Sequence, residues 1–383
     1  MEEEKKSFTI NFSGDWSLLA FTILLIGFGS LIVYSAASAR AVSTGLSTER
    51  IFAGHLAMLL LGFLVMVFTA KINYKWFGVF ALPMMVFSIV LMSLVSFTNY
   101  GVTINDASRW IGIPGTGITF QPSDFAKISI VIYMASSLSK LQDNIDNFKD
   151  ILFKCVFLPI TIIVLIALNN ISTAILLTLI VAIIMFIGRV HIKVFLSFFG
   201  IFIFLVMPVI YIASKRVQTA VSRVSDYFST SSSEIGVSDL PYQVEQANIA
   251  IALGGINGVG LGHSQQKYFL PMAFSDYIYA IIIEEHGIKL GLLILFLFLA
   301  IFYRGMKITQ KTTNPFSGLL VIGISLLIVL QALIHMAVVT GLFPVTGLTL
   351  PWVSTGGTSL LFTGLAFGIM LNVSKETNAS LSK

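Results

Sequence analysis

From Thr312 to Ser374 the chain runs 63 residues without one Asp, Glu, Lys or Arg. As a single helix, at ~1.5 Å per residue, that stretch would be roughly 90 Å long, three times the ~30 Å core of a bilayer. It is therefore two spans, broken near "GLFPVTGLTLP". Composition agrees: hydrophobic residues make up 56%, charged residues 11% and mean hydropathy is +0.92. An ordinary soluble domain carries about 25% charge, so soluble, disordered and fibrous classes are excluded and a polytopic membrane protein remains. The single cysteine, Cys155, excludes a disulfide framework and a cysteine metal cluster.

Further uncharged runs supply the other spans: Ser17 to Ala39, Ile51 to Ala70, Trp76 to Asn105 and Val194 to Ser214. Cys155 to Gly188 reads as two short spans with a polar turn at Asn169–Asn170. Two spans hold charges near their ends, from about Phe120 to Leu138 and from about Ser275 to Tyr303. The fold expected is an all-α polytopic membrane protein of about ten transmembrane helices, forming a single transmembrane domain over residues 1–383. An even count puts both termini on one side. That side carries 14 Lys and Arg, whereas the opposite short loops carry only Arg40, Arg50 and Arg109. The excess of cations marks the cytoplasm, so the N and C termini are cytoplasmic, with tails at 1–16 and 375–383. One large extracytoplasmic loop, 215–274, lies between spans seven and eight. In it, "QVEQANIAIAL" could be a short helix and "GGINGVGLG" is a glycine-rich loop suited to tight turns or close backbone approach. "SAASARA" mimics a cleavage site, but the long apolar stretch and acidic flank before it favour an uncleaved first span.

A charge at membrane depth is costly and needs a reason. Asp124 and Lys127, three residues apart, share a helix face and could simply pair; alternatively Arg109 and Lys127 line an anion pocket. Asp276 sits where the outer loop enters the next span. Partial desolvation there makes a carboxylate a stronger base, while the plainer reading is that Ser275 or Asp276 caps the helix. Lys267 could serve the same anion as Arg109 and Lys127. Glu284, Glu285, Gln331 and His335 either line a polar cavity or make structural pairings between helices. No metal-ligand spacing occurs, and no basic, aromatic-interleaved surface for nucleic acid.

Three segments carry a resemblance: "SRWIGIPGTGITFQPSDFAK", "YQVEQANIAIALGGINGVGLGHSQQKYFLPMAFSDYIYAIIIEEHG" and "GLFPVTGLTLPWVSTGGTSL". The chain resembles the SEDS family, which contains FtsW, RodA and SpoVE, and looks most like its division-type FtsW branch. The resemblance implies a peptidoglycan glycosyltransferase that polymerises lipid II into glycan strands at the outer face of the bacterial cytoplasmic (inner) membrane, at the division septum. It implies a cognate class B penicillin-binding protein (FtsI-like) and other divisome proteins as partners, and no nucleic acid. The family's proposed catalytic Asp falls on Asp276, with Arg109 and Lys127 on matching positions. Substrate contacts are expected from Arg109, Lys127, Lys267, Gln243, Ser354 and Thr358. Departures from the common pattern are Met272 for Glu, Asn170 for Asp, His335 for Asn and Thr355 for Tyr. A lost carboxylate at Met272 favours Asp276 acting alone. A divalent cation, Mg or Mn, could assist, although the sequence displays no site for one. Rival readings are a RodA-type elongation polymerase, a lipid II flippase or transporter, and a scaffold without chemistry.

Overall fold

The computed structural model describes residues 14–98, 101–104, 107–112, 119–142, 148–212 and 242–381. Helices dominate, and their ends follow local chemistry. Helix α1 (Trp16–Thr44) starts where the Asp15 carboxylate accepts from Leu18 N at 2.9 Å and stops at Gly45, whose φ of 67° leaves the helical region. Helix α2 (Thr48–Thr69) is capped by Ser47. Helices α3 (Lys75–Val79) and α4 (Ala81–Phe97) follow. The uncharged run expected to reach Asn105 leaves the helix at Phe97, because Thr98 is extended. Beyond it lies a small antiparallel sheet that the all-α reading did not anticipate: β1 (Gly101–Ile104), β2 (Ala107–Gly112) and β3 (Thr119–Phe120), in the order β1-β2-β3.

Helix α5 (Pro122–Leu141) opens with proline, whose missing N–H costs nothing in the first turn. Helix α6 (Phe148–Ile151), a π-helical turn over Leu152–Phe157 and α7 (Leu158–Ala167) form one apolar rod. The turn expected at Asn169–Asn170 is present, and the Asn170 side chain caps α8 (Ile171–Ile187) by accepting from Thr173 N at 3.1 Å. Helix α9 (Ile192–Ile212) is followed, past residues outside the description, by α10 (Tyr242–Gly254), where the sequence placed a short helix. Helices α11 (Ile278–Lys311), α12 (Pro315–Val339) and α13 (Ser359–Leu381) complete the bundle. The uncharged 63-residue stretch is indeed broken between α12 and α13, and α13 continues through Lys375. Among the described residues, five helices are long and apolar enough to cross a membrane.

Without water to drive helix against helix, close packing in lipid needs small residues. Helix α13 supplies Gly364 and Gly368 one turn apart, and a methyl group at Gly364 would stand 2.0 Å from the Gly62 carbonyl oxygen of α2. Backbones thus meet where side chains elsewhere would separate them.

Helix α11 is interrupted at Gly287, with φ 78° and ψ 174°. A break exposes backbone groups that must find partners. The glycine-rich loop provides them: Val259 N donates to Glu284 O and Gly260 N to Glu285 O, both at 2.9 Å, while Ile288 N donates to Gly255 O at 2.9 Å. A methyl at Gly258 would lie 2.3 Å from Glu285 O, and one at Gly287 would lie 2.2 Å from Ile256 O. The expected close backbone approach is therefore to the interior of a broken helix.

Helices α1 and α11 are pinned together twice. At one end Arg304 Nε donates to the Asp15 carboxylate at 3.1 Å. At the other, Ser35 Oγ donates to Glu285 Oε1, and Lys267 Nζ donates to Ser35 Oγ at 3.2 Å. Twenty residues of α1 separate the two contacts, about 30 Å of helix. That is the thickness of a hydrocarbon core. The two clasps thus lie about one core thickness apart, and the Asp15 end is the one that the excess of Lys and Arg assigns to the cytoplasm.

Candidate active site at the outer rim

Asp276 lies two residues before the first residue of α11. The N-cap position falls to Tyr277, which makes no capping bond through its side chain, so the capping role expected of Ser275 or Asp276 is not the one observed. Instead the segment before the helix forms a turn around Met272. Ser275 N and Asp276 N both donate to Met272 O, at 2.9 and 3.0 Å. Met272 has a φ of 58°, a conformation that a residue with a side chain adopts at a cost of roughly 1–3 kcal/mol. The half-buried Asp276 carboxylate receives the Ser275 hydroxyl on Oδ1 at 3.0 Å.

The loop between α12 and α13 holds this turn from behind. Ser354 Oγ accepts from Leu350 N at 2.8 Å and donates to Ser275 O at 2.7 Å. Thr355 donates twice to Phe274 O, from N at 3.0 Å and from Oγ1 at 2.8 Å. Thr358 Oγ1 accepts from Gln121 N at 3.3 Å, at the residue preceding α5. Ser354 and Thr358, read from the sequence as substrate contacts, are both buried and spend these bonds on protein partners. Gln243 on α10 accepts from the Tyr277 hydroxyl at 3.4 Å, beside Asp276 in sequence.

The lysines are engaged as well. Lys127 Nζ lies 2.8 Å from Asp124 Oδ1, the i,i+3 pair anticipated from spacing, and donates to Gln331 Oε1 at 3.1 Å. Gln331 in turn donates to Thr349 O at 2.8 Å. Asp124, Lys127, Gln331, Pro351 and Phe362 help line a cavity of about 30 Å³, which Asp276 does not reach. Lys267 is 4% exposed; its ammonium donates to Gly262 O at 2.8 Å and to Ser35 Oγ, and stands 3.9 Å from Glu285 Oε1. Glu284 gathers the neighbouring loop by accepting from Ser264 Oγ, Gln265 N at 2.9 Å and Gln266 N at 3.2 Å. The four residues grouped from the sequence as a polar cavity are thus divided. Glu284 and Glu285 hold the glycine-rich loop, Gln331 serves Lys127, and His335 Nδ1 contacts Leu348 O at 2.6 Å. Arg109 falls in β2, and its side chain lies outside the description. Among the described residues no three His, Cys, Asp or Glu side chains converge where an assisting Mg or Mn ion could sit.

Sequence reasoning passed over Ser35 and gave Arg40 no part beyond its outward charge. The Arg40 guanidinium lies 4.6 Å from the centre of the Phe274 ring, two residues from Asp276.

Comparisons with known proteins identify the family. The family described as "Cell cycle protein" (FtsW, RodA, SpoVE) matches residues 15–379. The chain belongs to that family. Relatives include the probable peptidoglycan glycosyltransferase FtsW of Bacillus subtilis, 33% identical over 97% of this chain and 93% of that one. Stage V sporulation protein E of Bacillus subtilis is 32% identical, over 95% of this chain and 97% of that one. The probable peptidoglycan glycosyltransferase FtsW of Geobacter sulfurreducens is 32% identical over 94% and 95%. Among solved structures, a chain of a peptidoglycan synthase complex that coordinates polymerization and crosslinking superposes with a TM-score of 0.72 at 21% identity, covering 95% of this chain and 98% of that one. The rod shape determining protein RodA of Thermus thermophilus gives 0.67 at 19%, covering 95% and 97%. This family member is accordingly a multi-pass membrane protein with the RodA fold.

Proposed function

We propose that this FtsW/RodA/SpoVE family member is a peptidoglycan glycosyltransferase of the division type, joining lipid-linked disaccharides into glycan strands at the outer face of the inner membrane. The names of the relatives at 32–33% identity support the activity and the branch. The observation that carries the reading is the position of Asp276 in the turn that opens α11, at the end of that helix away from the Arg304–Asp15 clasp. With the Asp15 clasp read as cytoplasmic, Asp276 belongs to the outer side, where the sugar of a lipid-linked disaccharide must be when its prenyl chain stays in the bilayer.

The chemistry is glycosyl transfer. A sugar C4 hydroxyl is a weak nucleophile and needs a base within hydrogen-bond reach. The Asp276 carboxylate takes its proton as the oxygen bonds to donor C1. The bond from C1 to the lipid diphosphate breaks, and its electron pair leaves with the diphosphate. Attack without a covalent sugar–enzyme intermediate inverts C1. Ser275 holds the carboxylate in place for that transfer, and Ser354 and Thr355 hold the turn that carries it. The developing negative charge on the diphosphate calls for cations close by, and Arg109 and Lys127 remain candidates for that task. Lys127 would have to exchange Asp124 for substrate. A class B penicillin-binding protein is the proposed partner, supported by the synthase complex among the structural neighbours, and the septum is the proposed place of work.

Reconstitution of the full chain with labelled lipid II and that partner tests the proposal. Glycan product supports it. Translocated lipid without product would make the chain a transporter, and neither outcome would leave a scaffold.

A further inference from the structure

The cations near the candidate base differ in what they are free to do. Lys267 is enclosed and hydrogen-bonded to Ser35 and Gly262, and Lys127 is paired with Asp124. Arg40 is exposed, and among the described residues no carboxylate pairs with it. It stands on the part of α1 that projects beyond the outer clasp, five residues above Ser35, or about 7 Å along the axis. With the Asp15 clasp read as cytoplasmic, that end of α1 lies on the outer side, the side on which Asp276 stands. Its guanidinium is steadied against the Phe274 ring, and Phe274 O is fixed by both donors of Thr355. A guanidinium resting on an aromatic face keeps its N–H edge free to fork onto phosphate oxygens.

Resting on the glycosyl-transfer reading above, we propose that Arg40 is a substrate-binding residue that grips the diphosphate of the prenyl-linked donor and steadies it as it departs. Helix α1 then belongs to the site as well as to the scaffold. The glycan-transfer groups and the diphosphate grip come from two elements, the turn before α11 and the top of α1, brought together by Phe274 and by the Ser35–Glu285 contact below.

The probe is a short-chain prenyl diphosphate, with the matching prenyl alcohol as control, bound by the full-length detergent-purified protein. Arg40→Ala should weaken prenyl diphosphate binding about ten-fold or more, the usual worth of a charge-assisted hydrogen bond, and leave the alcohol unaffected. Arg40→Lys should fall between, since an ammonium keeps the charge and loses the fork. Because Arg40 is exposed, the thermal midpoint of both variants should match that of the parent. Unchanged diphosphate affinity in Arg40→Ala overturns the proposal. So does weaker binding of whole lipid II with prenyl diphosphate unaffected, which would send Arg40 to the peptide carboxylates. Arg40-dependent binding of prenyl diphosphate by a chain that makes no glycan would uphold the anion site and remove the polymerase reading alone.

Discussion

The two clasps between α1 and α11 do the same geometric job with different chemistry. The cytoplasmic one joins a capping carboxylate to an arginine whose side chain is 33% exposed. Water reaches that pair, so its electrostatic worth is small. The outer one encloses Lys267 and Glu285 at 3% and 0% exposure, adds Ser35, and anchors a loop through Gly262 O. Buried charges stabilise little in total, yet removing one partner strands the other in an apolar interior. The cytoplasmic clasp is therefore a staple, whereas the outer clasp locks the loop leading to Asp276 against two helices.

That contrast can be broken at several points. Glu285→Ala should have the largest effect on stability, about 3–5 kcal/mol, because the Lys267 ammonium loses its carboxylate in a buried setting. Thermal unfolding in detergent reads the loss, and a midpoint equal to the parent's would show that the outer clasp is not buried. Gly287→Ala forces a side chain into a positive φ and against Ile256 O. About 1–3 kcal/mol is expected from the backbone conformation, with the collision added, and hydrogen exchange should rise across residues 255–262. Glu284→Gln leaves one acceptor where there were two, costing about 1–2 kcal/mol and loosening Ser264 to Gln266. Asp15→Asn keeps the cap on Leu18 and discards only the charge, so a change below about 1 kcal/mol is expected. If Asp15→Asn unfolds the protein as readily as Glu285→Ala, the two clasps are equivalent and the distinction fails.

Much of the fold was legible because uncharged runs of about 20 residues have few fates in a bilayer. The polar turn at Asn169–Asn170 and the break before α13 were visible for the same reason. The small sheet was not, since "GVTI" falls at the end of an uncharged run and "ASRWIG" is too short to display a strand period. Nor was the break at Gly287, where "EEHGIKLG" reads as continuous helix and only the tertiary partner explains the interruption. The Asp124–Lys127 pair could be anticipated because both residues lie on one helix. The contacts of Ser35 with Lys267 and Glu285 span 232 and 250 residues, and no local pattern announces them. Arg40 entered the sequence argument only as an outward charge, because its ring partner lies far along the chain.

The central claim is that the Asp276 carboxylate acts as the base in glycan polymerisation. The direct test is the rate of glycan formation from labelled lipid II by purified Asp276→Asn beside the parent, with folding and partner binding checked on the same samples. The amide retains shape and an oxygen for Ser275 while removing the proton acceptor. Polymerisation should fall to background, with the thermal midpoint and partner binding unaltered. Glycan made at the parent's rate would contradict the account.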